Sequence, residues 1–156
     1  MDTTSRLFVK LRDVMDQAGA GRVNGQRLLG MYHSSLDPPT KKAILMGFIS
    51  GQIRCLVTTV AFGMGMDVPD VDVVFHYGAP DDTLEYWQEV GRCARDGRPG
   101  RAVFLNVHIP GTKATIPSLA EDCASSQRCF RKAILDTLWP PSICRHVQPC
   151  CFGCSM

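Results

Sequence analysis

At 156 residues and 45% apolar composition, the chain can bury one sizeable core with an appendage, but not two full domains. Its 17 basic and 15 acidic side chains leave a formal charge of +2, too little to draw a polyanion by bulk attraction, so nucleic-acid contact has to come from particular sites. No apolar run approaches the roughly 18 residues of a membrane span, and Met1 to Arg12 lacks the basic-then-apolar order of a signal peptide, so a soluble intracellular protein with no membrane partner is expected.

Helical and extended patterns alternate along the chain, which predicts an α/β fold with a parallel sheet and crossover helices. Thr3 to Gln17 place Leu7, Leu11, Val14 and Met15 on one helical face, and Gly19-Ala-Gly21 ends that helix. Arg27 to Tyr32 reads as a short strand. Asp37, with Pro38 and Pro39 after it, caps a helix carrying Ile44, Leu45, Phe48 and Ile49 that stops near Gly51. Ile53 to Thr58 reads as a buried strand and Val71 to His76 as a third. Asp81 to Arg95 supplies a helix with Leu84, Trp87, Gln88 and Gly91 spaced along it, and Arg101 to Val107 closes the sheet. The stretch Ile109 to Pro117 is rich in Pro, Gly and Thr and reads as a linker. Ala120 to Leu138 forms one or two helices, ended by Pro140-Pro141. The expected layout is a lobe over 1–108, a linker over 109–119 and a small helical module over 120–156.

Three segments carry candidate chemistry. In Gln88-Glu-Val-Gly-Arg92-Cys-Ala-Arg95-Asp-Gly97, Arg92 and Arg95 stand three apart, so on a helix they share a face and make a fork for phosphate oxygens. A solvated basic helix end has the same composition, and two arginines alone do not separate the two readings. Thr58-Thr-Val-Ala-Phe-Gly63-Met-Gly65-Met-Asp67 follows a predicted strand and so falls at the carboxyl edge of the sheet, where open α/β folds place ligands. There Gly63 and Gly65 let the backbone approach a ligand, Asp67 can accept from a ribose hydroxyl, and Thr58 or Thr59 can donate to a nucleic-acid phosphate. An ordinary glycine loop with Met64 and Met66 in the core fits the same string. Tyr32-His33-Ser34-Ser35-Leu36 also follows a strand and offers His33 and Ser34 to a phosphate backbone, or simply a surface histidine.

Taken in this order, the three segments resemble the motifs of the second RecA-like motor lobe of RecQ-type ATP-dependent DNA helicases. Tyr32 to Leu36 resembles motif IV, Thr59-Val-Ala-Phe-Gly-Met-Gly-Met-Asp67 motif V, and Gln88 to Gly97 motif VI with its Arg-Asp-Gly ending. The resemblance is strong over Leu28 to Val107 and weaker in the tail. It implies that Arg95 is an arginine finger and Arg92 its partner at the phosphates of ATP with Mg²⁺, that Gln88 couples nucleotide state to lobe closure, and that Asp67 and Gly65 lie at the nucleotide. It further implies that His33, Ser34, Thr58 and Thr59 lie along a DNA strand, with single-stranded and duplex DNA as partners, and that a protein of this kind works in the nucleus, or the nucleoid of a bacterium, in DNA repair or recombination. One departure stands out: the family has Arg-Ala-Gly-Arg where this chain has Arg92-Cys93-Ala94-Arg95, which adds a methyl group where the backbone is expected to pack closely.

Of the eight cysteines, only Cys55 and Cys93 precede residue 123, an asymmetry that favours a local metal site over a disulfide framework. Cys151-x-x-Cys154 is a chelating pair that needs two more ligands for a tetrahedral Zn²⁺ site. Cys129 is the best distant candidate, since Cys129-Phe-Arg131-Lys132-Ala-Ile-Leu resembles the Cys-Arg-Arg-x-x-Leu-Leu helix of the RecQ zinc module. That module closes with three cysteines at two-residue gaps, whereas here Cys150 adjoins Cys151 and Gln148 stands at the third place, so Cys150, Cys144 and His146 all remain open as the fourth ligand. Reduced cysteines without metal fit the same tail.

No Gly-x-x-x-x-Gly-Lys-Ser/Thr phosphate loop occurs in the sequence, so an ATPase site needs a first lobe to complete it. Lobes of the resembled kind begin with a strand, yet this chain opens on the helix that would follow, so a helicase fragment inactive by itself, with a bare sheet edge and reduced stability, is expected. The alternative is a non-catalytic, zinc-stapled nucleic-acid-binding protein derived from such a lobe. A cysteine-nucleophile enzyme using Cys55 or Cys93 fails, because the sequence ties no histidine to either.

Overall fold

The computed structural model describes residues 3–59, 68, 71–78, 80, 82–95, 97–105, 107 and 129–139. The chain divides into two compact units, Met1–Val68 and Pro69–Met156. Each is built on one βαβ crossover, the connection that a parallel strand pair requires.

In the first unit, helix α1 (Thr3–Gln17) is followed by a two-stranded antiparallel hairpin, β1 (Arg22–Val23) and β2 (Gln26–Arg27), and then by β3 (Leu29–Tyr32), α2 (Pro38–Ile49) and β4 (Cys55–Thr58). Strands β3 and β4 run parallel with Leu29 opposite Cys55 and Tyr32 opposite Thr58. Among the described residues of this unit, Leu29, Tyr32, Val57 and Val68 are the buried large apolar ones, and α1 and α2 both pack against β3. Asp37 caps α2 as expected, accepting from the Thr40 amide at 3.0 Å, with the two prolines opening the helix. The Thr40 hydroxyl and amide bonds, in that order, hold the Asp37 carboxyl below its ordinary pKa.

Several boundaries differ from the sequence reading. The strand expected over Arg27 to Tyr32 is broken at Leu28, because Arg27 belongs to a hairpin whose turn places Asn24 at φ 50° and Gly25 at φ 80°. Two consecutive left-handed residues suit a tight hairpin, and Asn-Gly is the pair that tolerates them best. The strand expected buried over Ile53 to Thr58 starts at Cys55 and buries only Val57, with Cys55 and Thr58 exposed. Val14, placed on the apolar face of α1, is 61% exposed, and Ile49 of α2 is exposed as well.

In the second unit, β5 (Val73–Tyr77), α3 (Thr83–Val90) and β6 (Arg101–Leu105) form the crossover, with β5 and β6 parallel and Phe75 opposite Val103. These strands begin later or end sooner than the expected Val71 to His76 and Arg101 to Val107. Helix α4 (Phe130–Leu138) packs on α3, so part of the segment expected as a separate module shares a core with the lobe. That core joins Tyr86 and the fully buried Ile134 to Trp87, Val90, Phe104, Phe130 and Leu138. The rings of Trp87 and Trp139 meet edge to face at 6.0 Å, and the Arg131 guanidinium lies 5.8 Å from the Trp87 ring centre. No helix among the described residues is long and apolar enough to cross a membrane.

Candidate functional site

Parallel pairing brings the first set of expected residues together at one sheet edge. Because Tyr32 lies opposite Thr58, His33 and Ser34 leave β3 beside Thr58 and Thr59 leaving β4, and the Thr59 amide donates to the Tyr32 carbonyl at 3.4 Å. The Thr58 hydroxyl is engaged with the Thr59 carbonyl at 2.8 Å. Lys41, which the sequence reading passed over, reaches back from α2 to donate its ammonium to the Ser34 carbonyl at 2.6 Å. The signal was available: Lys41 stands four residues after the Asp37 cap, hence within the first two turns of the helix that follows this edge. The hydroxyls of Ser34, Thr58 and Thr59, the His33 imidazole and the Lys41 ammonium at one strand edge are groups suited to phosphate oxygens. Gly65 and Asp67 lie outside the described residues.

The arginine segment departs from expectation in an informative way. A helix over Asp81 to Arg95 would put Arg92 and Arg95 on one face, but α3 ends at Val90 and Gly91 to Arg95 form turns. Helix α3 is capped at Gly91, the Arg92 and Cys93 amides turn back to Glu89 and Val90, and Ala94 follows in the left-handed region at φ 57°. The turn is pinned to the amino ends of its own strand pair. The Ala94 amide donates to the Val71 carbonyl at 3.0 Å, and the Cys93 thiol donates to the Asp72 carbonyl at 3.1 Å. The Arg101 amide also donates to Asp72, at 2.9 Å, and Arg98 pairs with the Asp72 carboxylate at 3.3 Å. Ala94 carries the methyl group that the sequence departure adds, and Gly100 makes room for it: a Cβ on Gly100 would stand 2.7 Å from that of Ala94 and 2.5 Å from the Cys93 sulfur.

Arg95 is exposed and bends back so that its Nε donates to the Gly91 carbonyl at 3.0 Å. Arg92 is half-buried; burial and then the neighbouring Arg95 charge lower its pKa, while the charge of Glu89 opposes them. Gln88 is exposed on the last turn of α3. The two guanidiniums therefore come from a fixed turn rather than one helix face. Two contacts that the sequence reading missed hold the element before the turn: Glu89 accepts from His76 Nδ1 at 2.8 Å, and Asp82 caps the start of α3 through the Glu85 amide at 2.8 Å.

Of the expected metal ligands, Cys129 is described and Cys150, Cys151 and Cys154 are not, nor are Cys144 and His146. Cys129 caps α4, its sulfur accepting from the Lys132 amide at 3.3 Å.

The family model for the helicase conserved C-terminal domain matches residues 5–97. Mouse ATP-dependent DNA helicase Q4 is 31% identical over 137 residues, covering 86% of this chain and 11% of that protein. The Arabidopsis thaliana ATP-dependent DNA helicase Q-like 5 is 49% identical over 67 residues, covering 43% of this chain and 7% of the relative. The chain thus spans about a tenth of the length of these curated relatives. Among solved structures, the Mycobacterium smegmatis helicase Lhr, bound to single-stranded DNA and AMP-PNP, superposes with a TM-score of 0.62 at 22% identity, covering 83% of this chain and 16% of that one, a likeness of fold. On the matched motifs and the RecA-like α/β architecture, the chain belongs to the helicase conserved C-terminal domain family, within its RecQ-type DNA helicase branch.

Proposed function

We propose that this chain acts as the second motor lobe of an ATP-dependent 3′–5′ DNA helicase, donating arginines to an ATPase site that a first lobe completes. The observation that carries the reading is the pinned turn from Gly91 to Arg95, which presents Arg92 and Arg95 from a backbone fastened at Val71 and Asp72. Preorganised cations aimed at a developing negative charge need no rearrangement at the moment of reaction, and this is how an arginine finger acts. Arg95 is assigned as the finger, Arg92 as its partner at the phosphates, and Gln88 as the residue that couples nucleotide state to lobe closure. Gly65 and Asp67 are assigned to the ribose side of the nucleotide. The phosphate loop and the magnesium ligands belong to the first lobe, since the sequence carries no such loop.

His33, Ser34, Thr58 and Thr59 are assigned to the DNA strand, with Lys41 adding a positive charge at the same edge. Contacts of this kind hold a backbone without reading its bases, as a translocating motor requires. Cys129, Cys150, Cys151 and Cys154 are assigned as Zn²⁺ ligands. The donor chemistry fits at Cys129, where a sulfur that accepts a backbone N–H is suited to the thiolate form a metal needs. Four protein ligands would leave no open position, so the metal would fold the tail and take no part in the reaction.

The test is turnover in this chain joined to a RecQ-type first lobe. Arg95→Ala is expected to lower ATP hydrolysis by roughly 10³-fold or more while sparing nucleotide affinity. Unchanged turnover would remove the finger assignment.

A further inference from the structure

His76 sits where a purely structural core would favour a hydrocarbon. It is 5% exposed on the inner face of β5, and its Nε2 is buried with no hydrogen-bond partner among the described residues. An orphaned buried nitrogen weighs against stability, and a phenyl ring would fill the space without it. What the imidazole supplies is its other nitrogen: Nδ1 bonds the Glu89 carboxylate at 2.8 Å, across 13 residues of chain. The ring cannot swing away, because it stacks against Tyr86 at 4.8 Å, and Tyr86 in turn meets Phe130 of α4 edge to face at 5.7 Å.

Glu89 faces two ways. Its side chain is held from inside the core by His76, its carbonyl accepts the Arg92 amide at 3.2 Å, and its charge acts on the Arg92 guanidinium. Glu89 thus joins the buried His76, through its carboxylate, to the base of the arginine turn, through its carbonyl and its charge. We infer that His76 is a positioning residue for the motor arginines: by fixing the Glu89 carboxylate from beneath, it sets where the turn bearing Arg92 and Arg95 leaves α3. The catalytic consequence rests on the assignment of those arginines above, whereas the structural part does not.

Amide hydrogen exchange on the full chain tests this directly. His76→Phe fills the cavity but removes the donor, and it is expected to speed exchange at Arg92, Cys93 and Ala94 on the order of fivefold, leaving the α4 amides Ala133 and Trp139 unchanged. His76→Asn keeps an N–H near the Nδ1 position and is expected to restore most of the protection. Glu89→Met, which keeps the side-chain length and removes the oxygen acceptors, should reproduce the loosening and stands in should the phenylalanine variant fail to fold. Unchanged exchange in Glu89→Met, an asparagine variant no better than phenylalanine, or equal acceleration throughout the second unit would each overturn the inference. With a first lobe joined, His76→Phe is expected to lower kcat about fivefold with little change in KM for ATP, and to add nothing in an Arg92→Ala background. If Arg95→Ala left turnover intact while the exchange pattern appeared as described, the finger assignment would fall and the positioning of the turn would stand.

Discussion

Ala94 shows how a single backbone angle controls the site. At φ 57° its Cβ is crowded by its own backbone, a strain of roughly 1 kcal/mol that glycine does not carry. The turn tolerates it because the Ala94 amide is tied to Val71 and Gly100 leaves room for the methyl group. Ala94→Gly is therefore expected to stabilise the chain by about 0.5–1 kcal/mol in urea unfolding, with an unchanged m-value. Lower stability would mean that the methyl contact with Gly100 outweighs the strain. The sequence pointed to this residue through its departure from Arg-Ala-Gly-Arg, but for a different reason. Alanine is the best helix former, so nothing in the composition of residues 88–95 announces a left-handed residue there. His76 and Glu89 were hidden for a related cause, since only the crossover from β5 to α3 brings them together.

Among the elements, the helix ends at Gln17 and Leu138 were legible, while α3 stops at Val90 and not at the expected Arg95. Asp37 followed by two prolines states a cap in chemical terms, and the structure places it there. Because the folded-state pKa of Asp37 is depressed, the ionised cap stabilises α2 above the unfolded pKa, and that contribution is lost as pH falls through the folded value. Asp37→Asn caps without titrating, so thermal melts of this variant are expected to show a smaller stability loss on acidification below the ordinary carboxylate range; identical acid profiles would count against the assignment. Asp82 plays the same part at α3, and Asp82→Ala should remove about 1 kcal/mol of stability, measured by equilibrium unfolding. A change within error would mean that α3 is held by its core contacts alone. The hairpin at Val23 to Gln26 was missed: Asn24-Gly25 is a hairpin signal, but the strands are two residues each, too short for any alternation to reveal them.

At the scale of the molecule, the alternation of helix and strand predicted parallel pairing, and both crossovers bear it out. Periodicity could not say which face α4 would cover. Its nine residues form an amphipathic helix with Ile134 fully buried in the core around Tyr86. Ile134→Ala is expected to cost roughly 2–5 kcal/mol and to loosen α3 together with α4, as seen by exchange at Tyr86 and Gly91. Loosening confined to α4 would show that α3 does not depend on that packing. The arginines themselves are best tested by differential binding, because a finger acts on the transition state and not on the bound substrate. In this chain joined to a RecQ-type first lobe, affinities for ADP with aluminium fluoride and for a non-hydrolysable ATP analogue should be compared before and after Arg95→Ala. Loss of affinity for the fluoride complex alone is the expected result, and an equal loss for both ligands, or none for either, would contradict it.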